Sequence, residues 1–440
     1  MLKCIIFVFK FFAVSIYEYL RYVMLQKPYT EFISNYVKRL ARCNPLYVKL
    51  FQAFALHNEI IDETLNDELL HFTDNAPWSK DDIDYETIIM VCNDYNLRME
   101  SCIPINSGMI SLVFKLTCNE TLTPVILKLK RTNIDVKLMD GLEELTSCIC
   151  IADCLPYVRK YKLYEILGKK MALIRNQLDF EKEVLNTQIM FENFKNISYV
   201  EIPCVHKNVT SKYPNAILMN YIQGECFKNV KEEDYLQYAE CVLKFGIVSC
   251  FVHGFSHGDL HPGNILFLKK NVNSTPEFKI AIIDFGITYT IDKTVQQHIF
   301  ELADNLFHKG SSRDVADNLI KSGIFVGPIE KINDLEPCKY ESLLQIFTNF
   351  IDTSKNKSAT IYYKIFETLK EFSIFMQSEE IKDRGLHVSD DILNFQLCIT
   401  MACGITLKLC KNKDYFQFVD ECLNKVFHLD LLNDKKEIHK

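Results

Sequence analysis

Apolar residues in this chain recur with two distinct periods, and the change between them divides the sequence. From Tyr29 to about Leu70 they fall three and four apart, as in Ile33, Val37 and Leu40 and again in Tyr47, Leu50 and Phe51, the spacing that lines one face of a helix. A helical lead-in is therefore predicted, closing at the breaker cluster Asn75 to Pro77. Further on, Ile110 to Thr117 and Val125 to Leu129 are short β-branched runs separated by Asn119 to Pro124, the pattern of an antiparallel hairpin. Helical period returns around Val136 to Ala152 and Gln177 to Phe194, and Ile217 to Ile222, with Gly224 behind it, reads as a strand running into a linker. A long helix is predicted over Asp234 to His253, then two short strands, Ile265 to Leu268 and Ile280 to Ile283, flanking a polar turn. From Asp292 the spacing is helical almost to the end. This order of helices, small sheet, hinge-like strand and mostly helical half predicts an α+β protein of two lobes with a cleft between them.

The first two dozen residues hold two apolar runs, Cys4 to Phe9 and Phe11 to Tyr17, interrupted by Lys10. Neither approaches the roughly 20 uninterrupted apolar residues of a spanning helix. Ser15, Ile16, Tyr17 and Glu18 lack the small-residue pattern of a signal cleavage site. Two readings stand, a helix on or in a membrane surface and a helix packed on its own protein; Tyr17, Tyr19, Arg21 and Tyr22 would suit a bilayer interface.

Composition narrows the function. With 440 residues the chain can bury more than one core, and 48% hydrophobic with 24% charged residues is the balance of a globular protein. A net charge of -7 argues against a nucleic-acid partner, which needs a concentrated basic surface. The 17 cysteines are scattered singly or as close pairs such as Cys148 and Cys150, without repeated CxxC spacing. They read as reduced thiols of an intracellular protein.

His253, His257 and His261 sit at intervals of four, which on one helix would make a metal-binding face. Gly254, Gly258, Pro262 and Gly263 break that helix and the metal reading with it. Phosphoryl transfer fits better. Asp259 is followed five residues later by Asn264 and, after a strand and turn, by Asp284 in "IIDFG". In a phosphotransferase one carboxylate orients the attacking hydroxyl, while an amide and a second carboxylate hold Mg²⁺ against the phosphates. A nucleotide site also needs a cation. Lys128 and Lys130 in "VILKLKR" both alternate with apolar residues and share a face, so spacing leaves them equivalent, and Glu183 on the following helix is the candidate partner.

These residues resemble the UbiB-type atypical kinases, also called aarF-domain kinases, a protein-kinase-like family tied to ubiquinone biosynthesis and membrane lipid homeostasis. "FSHGDLHPGNIL" and "IAIIDFGI" are similar to the family's catalytic and metal-binding loops. The resemblance implies a two-lobed kinase-like fold, ATP and Mg²⁺ as ligands, Asp259 as catalytic residue, and Asn264 with Asp284 as metal ligands. It singles out Lys128 rather than Lys130, pairs it with Glu183, and places Asn106, Ser107 and Gly108 in the loop that stands where kinases carry their glycine-rich loop. "PLYVKLFQAF" resembles the lysine-x-glycine-glutamine signature, giving Lys49 and Gln52, and "NQLDFEKEVLN" resembles the glutamate-x-aspartate motif, giving Gln177 and Asp179.

The chain departs from that pattern at Phe51 for the signature glycine, Gln177 for the first acid and Asn220 for the hinge acid. Gln177 still accepts a hydrogen bond but without its charge-assisted part. On this reading residues 1–26 are a hydrophobic segment able to contact a membrane, 27–100 a helical extension, 101–223 an N-lobe and 224–440 a C-lobe. Two alternatives remain, a nucleotide-binding scaffold without catalysis, and a small-molecule phosphotransferase of the aminoglycoside or choline kinase type. The second leaves the lead-in around Lys49, Gln52 and Asp74 to Pro77 unexplained.

Overall fold

The N-terminal apolar segment forms one helix in the computed structural model, α1 (Leu2–Leu25), followed after Pro28 by α2 (Tyr29–Cys43). The structure describes residues 2–44, 46, 76–152, 175–272, 275–299, 311–323, 326, 327, 329–355, 368, 371, 372, 374–378, 381, 384–386, 388–410 and 415–425. Lys49, Gln52 and most of the predicted lead-in beyond α2 lie outside the described residues.

Helix α1 has two unlike faces. On one, Val14 packs with Leu40, Phe7, Phe11 and Tyr36, Ser15 Oγ lies 2.8 Å from the Tyr36 hydroxyl, and buried Glu18 accepts Arg39 Nε at 2.6 Å. On the other, Ile5, Phe9, Phe12, Ile16, Leu20 and Val23 are exposed. Among the described residues the helices long and apolar enough to cross a membrane are Glu232–Val252 and Asp390–Leu409, and α1 is not one of them.

Helix α3 (Tyr85–Asp94) is capped by Asp84, whose carboxylate accepts the Thr87 N–H at 3.0 Å. It leads into an antiparallel sheet of β1 (Leu97–Met99), β2 (Asn106–Ser107), β3 (Ser111–Cys118), β4 (Pro124–Lys130) and, later in the chain, β6 (Ala216–Asn220). The order is β1-β3-β4-β6 with β2 against β3. The predicted hairpin is β3–β4, with Val113 opposite Lys128, and Lys128 opposite Ile217 across β4–β6. Strand alternation assigns the faces. Leu127 and Leu129 join Leu112, Phe114, Leu116, Val91 and Leu218 in one core. Ile126 looks to the other side, where Phe180, Val184, Ile217 and Met219 pack. That second layer is α5 (Phe180–Phe194), which follows α4 (Ile134–Ala152).

Beyond the short β5 (Val200–Glu201), α6 (Tyr235–Ile247) runs into a π-helical turn over Val248–Val252, where His253 N–H reaches Val248 O at 3.1 Å. The long helix expected over Asp234 to His253 is thus regular only in its first part, because the wider i to i+5 bonding accommodates an extra residue. Next come β7 (Phe255–His257), β8 (Ile265–Val272), β9 (Thr275–Ile282) and β10 (Thr288–Thr290). Strands β8 and β9 form the expected pair, β5 adds in parallel to β9, and β7 pairs with β10. Among the described residues the chain from there on is mainly helical, the period the sequence predicts: α7 (Ser312–Lys321), α8 (Pro337–Lys355), α9 (Asp390–Leu409) and α10 (Tyr415–Lys425). Helix α6 packs on α9, so closely that a Cβ on Gly246 would stand 2.5 Å from that of Ala402. Among the described residues no two cysteines form a disulfide.

The chain divides into two compact units. The first comprises residues 1–192, 202–223 and 284–287; the second comprises 193–201, 224–283 and 288–440. Asp284 to Ile287 therefore belong to the first unit although the chain on both sides of them belongs to the second.

Candidate active site

In the first unit, Lys128 stands on central strand β4 with its side chain on the α5 side of the sheet, the face opposite Leu127 and Leu129. Its ammonium is buried and meets two carboxylates, Glu183 Oε1 at 2.5 Å and Asp284 Oδ2 at 2.7 Å. Lys130, on the same face, pairs with Asp135 at 3.4 Å and lies over the Phe180 ring. Geometry thus separates two lysines that spacing left equivalent.

Glu183 sits in the first turn of α5, whose start Asp179 caps by accepting the Lys182 N–H at 3.0 Å. Asp284 is held by its own turn, Oδ1 accepting the Gly286 N–H at 3.0 Å. The fully buried Phe285 is tied to α5 through Asn186 Nδ2, which donates to its carbonyl at 3.0 Å. Gln177 is drawn to the same place, its Cγ lying 3.9 Å from the point a Gly286 Cβ would occupy, as does Glu183 Oε2.

Electrostatics follow from burial. Desolvation disfavours the charged form of Lys128, yet Asp284 and then Glu183 more than reverse this and hold the ammonium above its usual range. Glu183 is pushed up to about 7, chiefly by burial, with Asp284 adding to the push and Lys128 opposing it. The Asp284 side chain, by contrast, is 37% exposed and open to a ligand.

In the second unit the loop after β7 orders Asp259 and Asn264 against each other. His257 Nδ1 accepts the Asp259 N–H at 3.0 Å, and Asn264 Nδ2 donates to the Asp259 carbonyl at 3.0 Å. Pro262–Asn264 form a single 3-10 turn, with His261 Nδ1 accepting the Gly263 N–H at 3.2 Å. The Ile283 N–H bonds the Asn264 carbonyl at 3.1 Å, and Asp284 is the next residue along the chain. The three histidines fall on different elements, as their glycines and proline predict, and two of them shape the loop as acceptors. Among the described residues no group of three His, Cys, Asp or Glu could hold a metal ion. With its NH₂ donating to the Asp259 carbonyl, the Asn264 amide keeps its oxygen as an acceptor, a donor type that Mg²⁺ takes.

The loop Asn106, Ser107, Gly108 is firmly bound. Ser107 Oγ donates to the Ala76 carbonyl at 2.6 Å, and the Gly108 N–H bonds Ser111 O at 2.9 Å. A Cβ at Gly108 would meet only ordinary contacts, the nearest at 3.5 Å, so an alanine fits there. Asn220, at the expected hinge, spends its side-chain oxygen on the Cys204 N–H at 2.6 Å. Sequence reasoning missed Asn186, whose partner is a backbone carbonyl, and Arg131, to which we return below.

A five-stranded antiparallel sheet backed by a helix whose glutamate holds the strand lysine, with an aspartate of an Asp-Phe-Gly turn on the same ammonium, defines a protein-kinase-like fold. Residues 100–317 match the model of the ABC1 atypical kinase-like domain. Over that domain the chain is similar to the UbiB-type atypical kinases. It is 24% identical over 357 residues to the probable serine/threonine-protein kinase abkB of Dictyostelium discoideum, covering 76% of this chain and 51% of that protein. It is 26% identical over 362 residues to the probable protein kinase UbiB of Blochmanniella pennsylvanica, covering 78% and 63%. The chain therefore spans between about half and two thirds of the length of these relatives. Among solved structures, Rv3197 of Mycobacterium tuberculosis, determined with erythromycin, superposes with a TM-score of 0.48 at 14% identity, covering 84% of this chain and 90% of that one.

Proposed function

We propose that the chain binds ATP with Mg²⁺ and transfers or hydrolyses its terminal phosphoryl group. The observation that carries this reading is the buried Lys128 shared between Glu183 and Asp284. Lys128 is the cation for the α and β phosphates, and Glu183 fixes its direction. Asn264 and Asp284 would hold the Mg²⁺, which when bound neutralises charge developing on the phosphates. Asp259 orients the hydroxyl or water that attacks. The segment Asn106 to Gly108 covers the nucleotide, mainly through backbone, since the Ser107 hydroxyl is already committed. The activity is linked to membrane lipid or quinone metabolism, in line with the family resemblance.

Saturating Mg-ATP should raise the melting temperature by mass action, a stabilisation of roughly 2.7 kcal/mol at a hundredfold excess over Kd. Asp284→Asn should abolish that shift, and a shift that persists in the variant removes Asp284 from the metal site. Labelled ATP then separates hydrolysis from transfer, through free phosphate against labelled lipid, protein or small molecule.

We also infer contact with a lipid surface through the exposed face of α1. The support is the segregation on that helix: Lys10 reaches Glu144 at 3.2 Å, and Glu18 and Arg21 cluster toward Arg39, leaving Ile5, Phe9, Phe12, Ile16, Leu20 and Val23 outward. Flotation with phosphatidylcholine vesicles tests it, and a protein that stays in the dense fraction rejects it.

A further inference from the structure

Arg131 lies three residues beyond Lys128, just past the end of β4, with only 6% of its surface exposed. Its guanidinium makes contacts in three directions. Nε and Nη2 both donate to the Gly108 carbonyl, at 3.0 and 2.7 Å, and Nη2 also reaches Ser107 Oγ at 2.8 Å. Nη1 donates to the Pro77 carbonyl at 2.8 Å and to Asp82 Oδ2 at 3.1 Å, and Nη2 approaches the Ala76 carbonyl at 3.3 Å. Backbone bonds repeat the same triangle: Ala76 N–H to Ser107 O at 2.8 Å, Arg131 N–H to Ile110 O at 2.9 Å, and Thr132 N–H to Asp82 O at 3.0 Å.

Five N–H donors in a rigid planar fork are what this set of acceptors requires, and an ammonium has three. Most acceptors are backbone carbonyls, so the arginine fixes main chain rather than side chains. Peptide units are planar and trans here, with no cis bond among the described residues. A Gly108 carbonyl pinned on the guanidinium therefore holds the Met109 N–H pointing the opposite way.

We propose that Arg131 is a positioning residue that welds the loop Ser107 to Ile110 to the segment Ala76 to Asp82, so that the backbone donors of the loop are preset for the phosphates and the two segments respond to nucleotide as one body. The inference rests on the nucleotide reading above and adds a coupling to it. The phosphate lysine on β4 and the clamp of the covering loop just past the strand's end then lie within four residues, so the strand largely sets their spacing. Preset donors lose little freedom on binding, so the effect of the clamp is on affinity.

The test uses the full chain. In the wild type, hydrogen exchange with and without Mg²⁺ and a non-hydrolysable ATP analogue should show added protection of residues 105–111 and of residues 76–82 together. Protection confined to the loop, with 76–82 unchanged, overturns the proposal. Arg131→Lys keeps the charge and loses the fork. It should weaken Mg-ATP binding by roughly tenfold or more, uncouple the two segments in exchange, and leave the circular dichroism of the folded protein in place. Unchanged affinity in a folded variant overturns the proposal as well. If the variant fails to fold, the wild-type exchange pattern decides alone. A wild type that binds no Mg-ATP refutes the nucleotide reading itself, an outcome distinct from normal binding without coupling.

Discussion

Replacing Lys128 with methionine keeps an unbranched side chain of similar length and removes the charge between Glu183 and Asp284, at 2.5 and 2.7 Å. The consequence is a particular dependence on pH. In the wild type Glu183 titrates at about 7, above its ordinary 4.5, so the folded state binds more protons than the unfolded state between those values. A carboxyl raised on folding makes stability fall as pH rises from the unfolded to the folded value and adds nothing further above it. Without Lys128 the one strong opposing influence is gone, while burial and Asp284 both still push upward. The folded carboxyl of the variant keeps its proton beyond pH 7, and each further pH unit costs it roughly 1.4 kcal/mol that the wild type does not lose. The gap between the two proteins should therefore widen above pH 7, by up to about 1.4 kcal/mol per pH unit, while Lys128 itself, held above its usual range, stays charged throughout. Urea midpoints for both proteins at pH 6, 7, 8 and 9 measure it, since groups titrating equally in both cancel. Parallel curves above pH 7 would refute the reasoning, because they would mean that Glu183 ionises in the variant as readily as beside the lysine.

Gly246→Ala should destabilise by about 1 to 3 kcal/mol despite the helical preference for alanine, because the new Cβ falls 2.5 Å from that of Ala402. Adding Ala402→Gly should restore part of the loss in thermal unfolding, and strictly additive losses would reject the close approach as its cause. On α1, Phe9→Ser with Phe12→Ser should lower vesicle recovery at least severalfold without changing the melting temperature of the free protein, since both rings are exposed at 74% and 58%. A double variant that floats like wild type would move the lipid contact elsewhere.

The hairpin was legible because β3 and β4 are flanked on both sides, so alternation of Leu127 and Leu129 with Ile126 and Lys128 survives in the sequence as a clean period of two. The choice between Lys128 and Lys130 was not legible from that period. It is made by which lysine stands opposite Glu183 and Asp284, residues 55 and 156 positions away. Resemblance supplied the choice, and the geometry gives its physical basis. Asp259 and Asn264 were readable as a spaced pair, although not that one donates to the backbone of the other. Arg131 was missed because most of its partners are carbonyls, at residues 76, 77 and 108, which every residue type possesses. The π-helical turn at Val248–Val252 leaves no mark in composition, since its residues are as apolar as the helix before it. Helix α3 contributes only Thr87, Ile88 and Val91 to the interior, too few to register against a polar neighbourhood.

An apolar helix laid on an apolar surface has many rotations about its axis of nearly equal energy. On α1, Lys10 and Glu18 stand eight residues apart and are both tied down, to Glu144 on α4 and to Arg39 on α2, with Arg39 also covering the Tyr17 ring at 4.3 Å. Rolling the helix would leave the buried Glu18 without its partner, at a cost of several kcal/mol, whereas the phenylalanines and isoleucines are indifferent. Its two polar anchors thus act as a key that sets the roll angle of a greasy cylinder, and they decide which half of it the surroundings meet.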